Sequence, residues 1–233
     1  MSIAFAITLA GCTASVPVTR MTPAPDVLIA INDPALKDSA TARVSHTATF
    51  EHLEYARYEG GGLTMEVVYD VVIGDQVVLN YHYTMARMLD TWNANAGQAK
   101  RWGARGSARG WHDVIDYQLY TLTAQNRQCA AFAGEWDLSG RDPFGRPMEV
   151  VFGYVCATSG ATLSADRVEA LLKSVRIDRR FGHTFVKPGM RASIDEQADA
   201  IATGRAKPGT GNNRFPFDFG TTYSEGDGND FGD

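Results

Sequence analysis

The chain has 233 residues, a formal net charge of −5 and 44% hydrophobic residues, which is enough apolar material for one folded domain. Residues 190–233 hold four basic groups (Arg191, Arg205, Lys207, Arg214) against eight acidic ones, so the remainder is nearly neutral and offers no bulk basic field for nucleic acid. No stretch approaches the ~20 apolar residues of a membrane-spanning helix, and no Walker loop, Gly-x-Ser-x-Gly elbow or Ser-x-x-Lys pair occurs.

At the amino terminus an apolar run, Ile3 to Leu9, leads into Leu9-Ala10-Gly11-Cys12. This tetrad resembles the lipobox of bacterial lipoproteins. The resemblance implies cleavage before Cys12, a diacylglycerol thioether on its sulfur, and stable tethering of the acylated product to a membrane. Thr13, where an aspartate is absent, implies the periplasmic face of the outer membrane. Residues 1–11 are short for a signal and carry no Lys or Arg, so either the start codon lies upstream or the tetrad is a coincidence. Residues 12–46, with Pro17, Pro23, Pro25 and Pro34, read as a lipidated cysteine and a Pro-rich spacer, or as an irregular arm packed on the domain.

Residues 47–187 read as the globular domain. Thr49 to Tyr58 alternates apolar residues with charges and ends at Gly60-Gly61-Gly62, a hairpin turn in which glycine supplies positive φ. The next strand, Leu63 to Ile73, sets Leu63, Met65, Val67, Tyr69 and Val71 on one face. Val78, Tyr81, Met85, Met88, Leu89 and Trp92 recur at helical spacing, so a helix is expected over 78–95, although its first turns also suit a strand to Tyr83. A glycine-rich loop follows. Then come strand-like runs at Asp116 to Thr123, Gln128 to Trp136 and Met148 to Ala157. Ser164 reads as the N-cap of a short amphipathic helix through Leu172, and Val175-Arg176-Ile177 returns to extended chain. The sum is an α+β fold in a single domain: a mostly antiparallel sheet with helices on one face. The order of elements resembles that of PsbP-like domains, whose late helix likewise follows a hairpin.

If Cys12 is acylated, Cys129 and Cys156 are left as a pair. Setting them opposite one another in a hairpin puts Phe132 against Gly153, Gly134 against Val151, Ala131 against Tyr154 and Ala133 against Phe152, large against small throughout. A disulfide is therefore expected here, with two buried free thiols as the alternative.

Chemistry is harder to find. The histidines (His46, His52, His82, His112, His183) show no metal-ligand spacing, and neither a metal nor a cofactor is expected. His112-Asp113, and Glu135 and Asp137 around Trp136, have the residue types of acid–base pairs, but nothing in their spacing marks a reaction. No catalytic residue is assigned. Arg101, Arg105 and Arg109, spaced by four and flanked by Trp102 and Trp111, form the one basic element, suited to an anion or a planar ligand. Residues 188–233 read as a disordered, acidic, Gly-rich tail holding a capping box at Ser193 and the aromatic cluster Phe215, Phe217 and Phe219. The expected function is a membrane-anchored, non-enzymatic binding or structural module of the cell envelope with an envelope protein as partner. The rival is a periplasmic hydrolase using carboxylates or His112 in a cleft.

Overall fold

The apolar alternation that begins at Glu51 builds the middle of an eight-stranded antiparallel sheet. A computed structural model describes residues 18–21, 28–47, 51–72, 79, 85–92, 94–110, 113–136 and 146–177. In chain order the elements are β1 (Val18–Met21), β2 (Ile29–Ile31), β3 (Ala40–Thr47), β4 (Glu51–Gly60), β5 (Leu63–Val72), α1 (Met85–Thr91), β6 (Lys100–Arg109), β7 (Val114–Leu122), β8 (Arg127–Trp136), β9 (Glu149–Ala157), α2 (Ala165–Ser174) and β10 (Val175–Ile177). The sheet order is β1-β3-β4-β5-β9-β8-β7-β6, and β10 pairs with β2 in a separate two-stranded sheet.

Each hairpin follows from its turn. Gly61 and Gly62 have φ of 55° and 73°, so the two-residue turn between β4 and β5 needs positive φ at both central positions. At the same end of the strands, Asn126 takes φ 46° to close the link from β7 to β8.

Both faces of the sheet are covered. Met65, Val67, Tyr69 and Val71 meet Ile115, Phe132, Val151 and Val155 on one face, under Val168, Leu171 and Leu172 of α2 and under β2 and β10. Val68, Val72, Phe152, Tyr154, Tyr120 and Leu122 lie on the other, under Met88 and Leu89 of α1 and Trp92 just after it. The antiparallel sheet and the face assignment of β5 agree with the sequence reading; the placing of helices on one face does not, because each helix takes its own. The reason is the two-sided apolar content of the central strands: β9 is buried at every position from Glu149 to Ala157. A strand buried on both faces needs cover on both.

Of the two readings of residues 12–46, the described part from residue 28 agrees with the second, an arm packed on the domain: Leu28, Ile29, Ile31 and Leu36 are buried core. Their fixings are polar. Glu54 Oε2 accepts from the N–H groups of Leu28 (2.7 Å) and Ile29 (3.3 Å), and the Tyr58 hydroxyl donates to Ile29 O at 3.2 Å. Asp33 opens the turn holding Pro34, accepting from Ala35 N at 3.0 Å, and its carboxylate also receives both guanidinium nitrogens of Arg167 in α2, at 2.5 and 2.8 Å. Proline here marks a tight turn, which composition alone cannot separate from a linker. The helix expected over 78–95 is α1, shorter at Met85–Thr91. Leu79 is buried outside helix, donating its N–H to Pro147 O at 2.8 Å, and the question of a strand to Tyr83 lies outside the described residues.

From β7 to β10 the structure follows the reading closely. β8 pairs with β9 in the register Cys129↔Cys156, Ala131↔Tyr154, Phe132↔Gly153, Ala133↔Phe152 and Gly134↔Val151. The cysteines form a disulfide between directly opposed residues, with Cα atoms 4.0 Å apart. Ser164 caps α2, its Oγ accepting from Arg167 N at 3.2 Å. Among the described residues no helix is long and apolar enough to cross a membrane.

Candidate functional site

The segment expected as a loop is β6, the outermost strand of the sheet. Its burial is that of an edge: Arg101 to Arg105 are exposed without a break, and only Ala108 is fully buried. Glycine hid the strand from the sequence. Gly106 is where the Tyr117 ring lies against the backbone, so that a Cβ there would stand 2.8 Å from Tyr117 Cε1 and closer still to its hydroxyl. Tyr117 in turn donates to Glu169 of α2 at 3.3 Å. Gly103 O accepts from Gln118 Nε2 at 3.4 Å within a one-residue bulge.

That bulge decides which side chains act together. Trp102 pairs with Tyr120, but Arg105 pairs with Gln118, so the register shifts by one between them. Arginines spaced by four on a regular strand would share a face. Across the bulge they do not: Arg101 is paired with Thr121 and lies on the α2 side, whereas Arg105 and Arg109, paired with Gln118 and Val114, lie on the α1 side with Trp102. Trp102 (37% exposed) and Val114 (43% exposed) are the exposed large hydrophobic residues among those described, and both belong to this α1-side surface. Trp102 leans on Tyr120 with ring centroids 5.4 Å apart. Among the described residues Arg101, Arg105 and Arg109 have no side-chain hydrogen bond or ion pair.

Lys100 differs from these three. Its ammonium is drawn under the end of α1, donating to Asp90 Oδ1 (2.7 Å), Asn95 O (2.8 Å) and Gln98 O (3.3 Å). It ties β6 to the α1 segment and is not available to a ligand.

A second polar cluster, which the sequence reading missed, lies beneath α1. Glu66, 2% exposed, accepts from Tyr154 OH (2.6 Å), Trp92 Nε1 (2.7 Å) and Tyr55 OH (3.0 Å), and Arg57 Nη1 stands 3.8 Å away at the rim. Burial, then the Glu66 charge, raises both phenols far above their ordinary range, so they remain neutral donors. A carboxylate with three neutral donors and no exposed oxygen is a clasp for α1. Its one trace in the sequence is that Glu66 and Asp70, four apart on one face, interrupt the apolar run of β5, a pattern that an exposed strand face gives equally.

Of the residues of the hydrolase reading, Asp113 and Glu135 are among those described. Asp113 is exposed and its Oδ1 accepts from Val114 N at 2.8 Å. Glu135 is on β8 opposite Val150. His112, Asp137 and Trp111 lie outside the described residues, as do Cys12 and residues 178–233. Cys129 and Cys156 are bound to each other, with Tyr120 OH 3.9 Å from Cys156 Sγ. Among the described residues no group of three or more His, Cys, Asp or Glu is arranged to hold a metal ion. Comparisons of the chain with protein-family models, with curated proteins and with solved structures found no match.

Proposed function

We propose that this chain is a lipid-anchored periplasmic lipoprotein of the outer membrane, acting as a non-enzymatic binding module of the cell envelope, with the β6 edge as its contact surface. The observation that carries the binding reading is the grouping of Trp102, Arg105 and Arg109 on one face of β6, a strand with no outer neighbour among the described residues, beside Val114 of β7. Such an edge offers unpaired backbone groups to an extended segment, while its arginines select for acidic partners and repel like-charged ones. The address has separate support. The disulfide accounts for Cys129 and Cys156, leaving Cys12 as the remaining cysteine, and disulfides persist in oxidising compartments. The partner is an envelope protein presenting an acidic, extended stretch; the membrane is met through the acyl chains and nucleic acid plays no part.

Two measurements test this. Cells fed a clickable fatty acid should label the protein, and Cys12→Ser should abolish both the label and its sedimentation with outer membranes. A photo-crosslinking side chain at position 107 on the β6 surface should trap a discrete envelope protein in cells, whereas the same group at exposed position 162, before α2, should not. A Cys12→Ser protein that still labels overturns the anchor. Equal crosslinking from the two positions overturns the contact surface.

A further inference from the structure

We infer that the outer edge of β6 is filled in cis by residues 215–219 of this same chain, which add to the sheet as a strand beside β6. The inference rests on the reading of β6 as a contact surface: residues 215–219 hold the edge until an envelope partner of the same acidic, extended chemistry displaces them. The edge itself narrows the choice. A second copy paired antiparallel about Arg105 would set that residue against its own equivalent, a like-charge contact that costs free energy. The occupant must therefore supply negative charge, aromatic surface for Trp102 and an extended backbone. The sequence beyond β10 contains such a segment: Phe215-Pro216-Phe217-Asp218-Phe219, followed to Asp233 by Glu225, Asp227, Asp230 and Asp233 with no Lys or Arg.

Reach is ample. β10 ends at Ile177, paired with Ile29 on the β2 segment that Glu54 and Tyr58 hold over β4. In the sheet order, β4 and β6 are separated by β5, β9, β8 and β7, a distance of roughly 24 Å at about 4.8 Å per strand. The chain from residue 178 to residue 214 spans several times that when extended, at up to ~3.3 Å per residue.

Register follows from the bulge. Because alternate residues of an added strand point to opposite faces, Phe215, Phe217 and Phe219 share one side and Asp218 takes the other. Arg101 and Trp102 are likewise on opposite faces. Setting Asp218 beside Arg101 therefore sets Phe217 or Phe219 beside Trp102, whichever way the added strand runs. Charge meets charge on the α2 side and ring meets ring on the α1 side. Pro216 has no N–H to offer a ladder, which is tolerated on an outermost strand where that position faces solvent.

The test uses the full chain kept unacylated by Cys12→Ser, compared by amide hydrogen exchange with a chain ending at Lys187, which retains all the described strands and helices. Residues 100–109 should exchange about tenfold more slowly in the full chain, and the difference should not change with protein concentration. Asp218→Arg should abolish that protection, and combining it with Arg101→Asp should restore it. A synthetic peptide of residues 211–233 should restore it to the truncated chain. Equal exchange in the full and truncated chains overturns the inference, as does protection that grows with concentration, which would make a second copy the occupant. Crosslinking from position 107 to another envelope protein is read separately. If it persists while exchange is unchanged, the contact surface stands and the cis occupant falls.

Discussion

Gly153 is the residue on which the centre of the sheet turns. It pairs with Phe132 on β8 and with Val67 on β5. A Cβ there would stand 2.8 Å from Phe132 Cζ and 3.0 Å from Val67 Cα, and would collide with the carbonyl oxygen of Glu66. Phe132, 1% exposed, can move only by displacing its neighbours, and the Glu66 carbonyl is fixed by the sheet. Gly153→Ala should therefore cost about 3 kcal/mol or more, the upper end for overpacking, despite adding a single methyl. A denaturant midpoint close to that of the parent would refute it. The pairing of Gly153 with Phe132 is legible in the amino-acid sequence, because a cysteine pair fixes a register and each register makes a definite size match. Glu66 is not legible in the same way. A glutamate on a half-exposed strand and one buried under a helix have the same letter, and only the arrival of Trp92, Tyr55 and Tyr154 from three separate elements distinguishes them.

At the scale of elements, strands and α2 can be read where apolar periodicity and turn chemistry agree, as in β5, the Gly61-Gly62 hairpin and Ser164 before α2. They cannot where glycine does the packing, as in β6, or where prolines bracket short strands, as around β2. The N-terminal segment is held instead by a long-range pair that no local pattern encodes. Asp33 receives two hydrogen bonds from Arg167, and these lower its carboxyl below the ordinary carboxylate range against the opposing pull of burial. Because the folded-state pKa is depressed, the stabilisation is fully present above the ordinary value and is lost as pH falls through the depressed one. Asp33→Asn should thus cost about 1–2 kcal/mol at neutral pH, a bidentate charge-assisted pair discounted for the part-exposed guanidinium. The deficit should shrink towards zero in strong acid. Unfolding of parent and variant followed from pH 7 to pH 2 checks this, and a deficit independent of pH would assign the effect to the turn and not to the ion pair.

At the scale of the molecule, an early strand is closed onto the last of the described ones. β2 and β10 form a small sheet above β4, joined further by Asn32 N donating to Ser174 O at 3.0 Å. Val175 and Ile177 are each 2% exposed and lie in the same core cluster as Ile29, Ile31 and Leu172. Full burial of an aliphatic side chain contributes about 1.5–3 kcal/mol, so losing both removes roughly 3–6 kcal/mol, much of a typical domain's total margin. Ending the chain after Ser174 should therefore abolish cooperative unfolding or lower the thermal midpoint by about ten degrees or more, on the order of 2–4 °C being lost per kcal/mol in a domain of this size. Ending it after Lys187 keeps β10 and its pairing with β2, and should leave the midpoint within a few degrees, since docking of five residues on an edge adds little to a core of this size. The contrast separates the stability of the fold from any function of the acidic segment. A chain ending at Lys187 that unfolds as readily as one ending at Ser174 would mean that residues beyond 187 complete the core, and that the edge of β6 is not where they act.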